Sequence, residues 1–324
     1  MKILVTGCAG FIGYHLVSKL LNNKKYFVYG IDNLNNYYDI NLKKDRLQNL
    51  KKKSNKFKFF KIDITKGLNL KKNFKKYKYD VVINLAAQAG VRYSIYNPKV
   101  YFDSNIKGFY NIMELSRLIK VKHFMFASTS SVYGNLNIYP SRESFNTNSP
   151  SSFYASSKIS NEVMAYAYSN IYKIKCTALR FFTIYGPFGR PDMAIYKFAK
   201  LIDNNKQITL YNNGNHYRDF TYIDDAIDII IKLIKKPSKN KIPFNLFNIG
   251  GGRSVKLNKL IELLEKYFRK KAKIKNIKLQ KADAIKTHAS NYKIKKYIKF
   301  KKFTPFSKGI AKFIQWYKEY VKDE

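Results

Sequence analysis

Tyr154-Ala155-Ser156-Ser157-Lys158 sets a phenol and an ammonium four residues apart, downstream of the hydroxyl run Ser128-Thr129-Ser130-Ser131. Residues four apart share one face of a helix, so the cation can lie beside the phenol. A free tyrosine has a pKa near ~10 and is a poor base at neutral pH; a neighbouring cation favours the phenolate. Thr129, delivered from a strand end, could bridge a substrate alcohol and that phenol. The expected catalytic residues are therefore Thr129, Tyr154 and Lys158. Taken alone, a Tyr-x-x-x-Lys is more often a pair of helix-surface residues, and it gains meaning only from what surrounds it.

What surrounds it begins at the first residues, where Gly7-x-x-Gly10-x-x-Gly13 follows an apolar run and opens a helical pattern through Phe11 and Ile12. Glycine permits a tight turn and lets a pyrophosphate approach the N–H groups of a helix N-terminus, where the dipole favours an anion. Asp32, 19 residues after Gly13 and followed by Asn33, ends the next apolar run. A carboxylate there accepts from adenosine ribose hydroxyls and repels a 2′-phosphate, which favours NAD over NADP. Asp63-Ile64 ends the third run, where an aspartate could meet the adenine amino group. Leu85-Ala86-Ala87-Gln88 ends the fourth with small residues that leave room for the nicotinamide ribose. Asn105 is read as the start of a helix and is counted with the cofactor residues.

These groups need a frame. Lys2–Thr6, Phe27–Ile31, Phe57–Ile62, Val81–Leu85, Phe124–Ser128 and Cys176–Arg180 read as short buried strands. Phe11–Leu21, Asn105–Ile119 and Ala155–Tyr172 read as helices among them. The alternation predicts an α/β fold, a doubly wound parallel sheet of Rossmann type with helices on both faces. After about residue 180 the texture changes to loops such as Tyr185–Pro191, and Asn212-Asn213-Gly214-Asn215 predicts a hairpin turn. Further helices are expected at Asp224–Ile234 and Leu257–Phe268, with a strand around Phe247–Ile249. The expected organisation is a dinucleotide-binding domain over residues 1–180, to which later segments return, and a smaller interleaved substrate domain over 181–324.

The 324 residues are 45% hydrophobic, enough for a buried core. No apolar run approaches the ~20 residues of a membrane span, and a cytoplasmic enzyme is expected. Two cysteines, Cys8 and Cys176, form no disulfide framework, and four scattered histidines have no metal-ligand spacing, so no metal is expected. The net charge of +41 would ordinarily suggest nucleic acid. Here the excess is nearly all lysine spread over most elements, alongside many Asn, Ile, Tyr and Phe, which points to compositional drift. No nucleic-acid or membrane partner is expected; the field favours approach of an anionic small substrate.

The pieces resemble, over nearly the whole chain, the extended short-chain dehydrogenases and within them the nucleotide-sugar epimerases. The carriers are Thr6-Gly7 through Gly13, Asn84–Gln88, Ser131-Val132-Tyr133-Gly134, Leu179–Phe182 and Arg218–Asp225. Asp32–Asp39, Gln88–Ser94, Gly186–Met193 and Trp316-Tyr317 are similar to the UDP-glucuronate 4-epimerases in particular. The resemblance implies an NAD-dependent homodimer that epimerises a UDP-sugar at C4 through a transient ketone. It implies that Tyr154 takes the C4 hydroxyl proton while hydride passes to the nicotinamide, and that Lys158 holds the nicotinamide ribose. Thr183 and Arg190 match positions suited to a uronate carboxylate, and a guanidinium there can grip it bidentately. Arg218 matches the residue that meets the UDP diphosphate, and Ser130 and Ser131 fall among the substrate contacts.

Some positions depart. Thr129 stands where many relatives have Ser, and Lys281-Ala282-Asp283-Ala284 replaces a Pro-Gly-Asp-Val pattern, leaving Asp283 as the counterpart for the uridine ribose. A sugar-nucleotide dehydratase or UDP-glucuronate decarboxylase would carry an acidic residue after the strand-end hydroxyl, and Ser130 and Ser131 supply none. A 4-epimerase of neutral UDP-sugars remains the main alternative, since the Tyr, Lys and glycine positions do not see C6. A catalytically silent NAD sensor is the reading from another class.

Overall fold

A computed structural model describes residues 1–279, 284–300 and 302–322. The expected apolar runs become β1 (Lys2–Thr6), β2 (Phe27–Asp32), β3 (Phe57–Lys61), β4 (Val81–Asn84), β5 (His123–Thr129) and β6 (Cys176–Phe181), each within one residue of expectation at either end. Further along lie β7 (Thr183–Tyr185), β8 (Gln207–Tyr211), β9 (Tyr217–Tyr222), β10 (Phe244–Ile249), β11 (Ser254–Lys256) and β12 (Lys273–Ile277).

Seven strands form one parallel sheet in the order β10-β6-β5-β4-β1-β2-β3. Both faces are covered: Ile3 and Val5 of β1 join one apolar cluster, and Leu4 joins the other. That is why these strands read as continuous apolar runs without alternation. Strand order reverses direction between β1 and β4, and such a switch point opens a crevice at the carboxyl ends of the strands. Far past residue 180, β10 pairs in parallel with β6, and the Ile223–Ile234 helix packs on the Phe11–Leu21 helix. The later half of the chain is thus woven into the sheet's own layers.

Two expectations change. Asn212–Asn215 is a turn, with left-handed Asn212 and Asn213, but it closes no hairpin. β8 pairs with β12, whereas β9 pairs with β7 and β11. Local turn chemistry was legible; long-range pairing chose other partners. The helix expected from Asn105 starts earlier, through a π-helical turn at Phe102–Lys107 that leads into Gly108–Leu118. The wider π turn draws Asn105 inward instead of leaving it at a helix start. Two further helices, Ile40–Lys53 and Gly67–Phe74, lie in stretches where lysine masks the apolar stripe. No described helix is long and apolar enough to cross a membrane.

Candidate active site

The ends of six strands of the sheet, β1 to β6, converge on a cavity of about 820 Å³. Gly7 adopts φ +71°, and a Cβ there would lie 2.7 Å from the Ala86 nitrogen, so the loop presses directly on the β4 end. A Cβ at Gly13 would fall 2.0 Å from the Gly7 carbonyl oxygen, so only glycine lets the helix start this close. Gly10 caps the Phe11–Leu21 helix without a side-chain bond, leaving its first N–H groups directed at the cavity that Gly10, Phe11 and Ile12 line. A helix start left open by absent side chains is one that can receive an anionic group such as a pyrophosphate. Asp32 also lines the cavity, accepting from the Ala9 and Leu34 N–H groups at 3.1 and 2.9 Å. Burial pushes its carboxyl upward, and the Leu34 bond and the charge of Lys43 act against that. Each Asp32 oxygen keeps capacity for a ribose hydroxyl.

Asn33 donates to Asp63 at 3.0 Å and the Thr65 N–H does so at 2.8 Å. Burial works upward on Asp63, but these donors hold its carboxyl below the usual range. Asn33, Asp63, Ile64, Leu85, Ala86, Ala87 and Gln88 all line the cavity. Asn105 stands behind that wall, nearly fully buried. Its side chain accepts from the Gln88 N–H at 2.8 Å and donates to the Gln88 carbonyl and the Ser157 hydroxyl, each at 3.0 Å. Asn105 therefore braces the β4 end against the helix that carries Tyr154 and does not itself face the cavity.

Thr129 is the last residue of β5, and Ser130 and Ser131 turn away from it in a short 3₁₀ segment, Ser130–Tyr133. The Ser131 N–H donates to the Thr129 hydroxyl at 3.2 Å, which in turn lies 3.2 Å from the Ser131 hydroxyl. Ser152 caps the Phe153–Tyr172 helix by accepting from the Ala155 N–H, fixing Tyr154 in its first turn. Burial holds the Tyr154 phenol above its usual range, and a hydrogen bond with Thr129 and the charge of Arg190 offset only part of that rise. Lys158 donates to the Ala127 carbonyl at 2.9 Å. Burial brings its pKa down to about 8, and the Glu162 charge opposes that fall. In this arrangement the groups drawing the phenol down are Thr129 and Arg190, whereas Lys158 is held by the β5 backbone.

Thr183, Arg190 and Arg218 line the same cavity. Arg190 makes a bidentate pair with Asp192, Nε and Nη2 to the two carboxylate oxygens at 3.0 and 2.5 Å. Its guanidinium also lies 5.8 Å from the Tyr37 ring centroid. Arg218 donates to the Tyr217 and Ile285 carbonyls. Asp283, expected near the uridine ribose, lies outside the described residues.

Sequence reasoning missed Arg46. It is fully buried and donates to Ala9 O at 2.9 Å, Tyr38 Oη at 2.7 Å and Phe188 O at 2.6 Å. It thus ties the glycine loop to the loop bearing Arg190. Being the single arginine in the lysine-rich Ile40–Lys53 helix was its only sequence signal. Glu162 was missed too; it accepts from Ser128 at 2.5 Å and from Arg180 at 2.9 and 2.8 Å, anchoring the charge behind Lys158.

A dinucleotide cradle at the sheet's switch point, beside a tyrosine and a strand-end hydroxyl, defines an α/β enzyme working with a nicotinamide cofactor. The family profile described as NAD dependent epimerase/dehydratase matches residues 3–250, and the chain belongs to that family. It is 42% identical over 320 residues to a UDP-glucuronate 4-epimerase of Thermodesulfobacterium geofontis, covering 98% of this chain and 97% of that protein. Among solved structures, the UDP-glucuronic acid 4-epimerase of Bacillus cereus with UDP-glucuronic acid and NAD superposes with a TM-score of 0.90 at 33% identity, over 99% of this chain and 100% of the other. The UDP-glucose 4-epimerase of Thermotoga maritima superposes with a TM-score of 0.88 at 27% identity, again over 99% and 100%.

Proposed function

We propose that this protein interconverts UDP-glucuronate and UDP-galacturonate by NAD-dependent epimerisation at C4, through a 4-keto sugar. The observation that carries the uronate reading is Arg190 on the cavity wall, its charge acting on the Tyr154 phenol. A guanidinium so placed can take a C6 carboxylate in the same pocket where C4 meets the base. The 42% identical relative named for the same reaction supports it.

Gly7, Gly10, Gly13, Asp32, Asn33 and Asp63 would hold the cofactor, and its fit rests on the glycine cradle and the uncommitted capacity of Asp32. Bound there, the cofactor would supply reversible hydride transfer at C4. The chain's own work is proton transfer and orientation. Tyr154 as phenolate accepts the C4 hydroxyl proton and later gives it back, and Thr129 aligns hydroxyl and phenol. Lys158, fixed by the Ala127 carbonyl, supplies positive charge to that end of the site. Arg190 and Thr183 hold the uronate out of line with the ketone, which restrains decarboxylation of the β-keto acid. Arg218 meets the diphosphate. Segments beyond residue 181 form the sugar-nucleotide side of the cavity.

We further propose a cytoplasmic homodimer that supplies uronate units to polysaccharide synthesis. Tyr96, Phe102, Tyr110, Val163 and Tyr166 are exposed on neighbouring helical segments, an apolar surface that suits a second copy. One observation favours a second reading, a 4-epimerase of neutral UDP-sugars: Arg190 already has a carboxylate partner in Asp192. NMR of products after separate incubation with UDP-glucuronate and UDP-glucose decides between them. Conversion of UDP-glucose alone would overturn the uronate assignment.

A further inference from the structure

Arg190 presents its Nε/Nη2 edge to Asp192, the side-on geometry in which a guanidinium grips a carboxylate most firmly. Asp192 itself lines the cavity, and 34% of its side chain and 19% of that of Arg190 are exposed. The Arg190–Met193 turn is closed by its backbone, with the Met193 N–H donating to the Arg190 carbonyl at 3.2 Å. The turn therefore does not depend on the Asp192 side chain. Arg190 has other supports besides Asp192: the Tyr37 ring lies beside its guanidinium, and Arg46 holds the Phe188 carbonyl just upstream. A carboxylate sits on the Nε/Nη2 edge of a cation that also lies beside the Tyr37 ring, on a loop that Arg46 anchors.

Resting on the uronate reading above, we propose that Asp192 is a resident stand-in for the substrate's carboxylate, displaced from Arg190 when a uronate binds. The free site then exposes no unpaired guanidinium in a half-buried wall, where an unpartnered charge is costly. A uronate exchanges one carboxylate for another on Arg190 and releases Asp192 toward solvent. A neutral sugar has nothing to exchange and leaves the Arg190–Asp192 pair standing. Asp192 is on this account a specificity-determining residue, and it weakens uronate binding relative to what Arg190 alone would give.

Calorimetry on NAD-loaded Tyr154→Phe enzyme, which removes turnover, gives the affinity for UDP-glucuronate and UDP-glucose with and without Asp192→Asn. Loss of the competing carboxylate should tighten UDP-glucuronate roughly three- to tenfold relative to UDP-glucose, the scale of a partly screened bidentate pair. Asp192→Ala should move the ratio the same way, which guards against a side effect of the amide. An unchanged or weakened UDP-glucuronate affinity relative to UDP-glucose in these variants overturns the displacement and makes Asp192 an aligner of Arg190. Wild-type product NMR run alongside tests the parent reading separately. No conversion of UDP-glucuronate overturns both, whereas conversion without the affinity gain overturns the stand-in alone.

Discussion

Arg46 donates from its buried guanidinium to the Phe188 carbonyl at 2.6 Å, joining the helix beside the glycine loop to the segment that ends in Arg190. Phe188 holds a left-handed φ of 53°, a conformation that needs such an anchor. Arg46→Leu would strand the Ala9 and Phe188 carbonyls in the interior. A loss of about 2–4 kcal/mol in denaturant unfolding is expected, with weaker NAD retention. A variant as stable as wild type would show that the clamp is dispensable.

Tyr154→Phe removes the base while leaving the cofactor wall intact. Turnover should fall about 10²–10⁴-fold with NAD still bound. The test is steady-state rate together with cofactor content by absorbance. More than half the wild-type rate would remove Tyr154 from the mechanism.

Lys158 titrates at about 8 because burial disfavours its ammonium, and Glu162 works against that fall. The cation is the form that supports the site, so its contribution is complete below about 8 and lost as pH rises through it. The hold of Lys158 on the nicotinamide ribose, read as NAD affinity, should therefore weaken on the alkaline side. Glu162→Gln removes the opposing charge and should move that decline to lower pH. An NAD-affinity profile against pH that the substitution leaves in place would contradict this account.

Asp32 faces the cavity with Lys43 close enough to act on it; Lys43 Nζ donates to the Asn35 side chain at 2.8 Å. Removing the carboxylate leaves a cation near the place of an adenosine ribose. Asp32→Ser should shift selectivity toward NADP by at least ~10-fold, read as the ratio of cofactor affinities after stripping. If wild-type protein already prefers NADP, the role given to Asp32 is wrong.

Arg190→Leu should raise the KM for UDP-glucuronate roughly ten- to a hundredfold, the value of a charged bidentate contact worth ~1.5–3 kcal/mol. Release of a 4-keto-pentose nucleotide by decarboxylation should accompany it. The KM for UDP-glucose should change far less, whereas kcat should fall on both substrates because the Arg190 charge also acts on the Tyr154 phenol. Equal rises in KM for both substrates would reduce Arg190 to a support for its loop.

The strands were legible because their signals are local, and the same local signals singled out Thr129, Tyr154 and Lys158 as candidates. Short apolar runs ending in Asp32, Asp63, Gln88 and Thr129 mark strand ends one at a time, and helical spacing alone puts Tyr154 and Lys158 on one helix face. Only the fold sends the Lys158 ammonium to the Ala127 carbonyl. Family resemblance then pointed to C4 chemistry and to Arg190. What no local pattern carries is who partners whom. The Asn212–Gly214 turn read as a hairpin, yet β8 and β9 each pair elsewhere, since strand partners are chosen by burial over long separations. Asn105 read as a helix start and became the brace between Gln88 and Ser157. Arg46 was one cation among many lysines until folding buried it against three separate segments. The bidentate hold of Asp192 on Arg190 depends on side-chain geometry at two loop residues, and only the tertiary structure decides it, because a charge's worth is set by burial and by its partner.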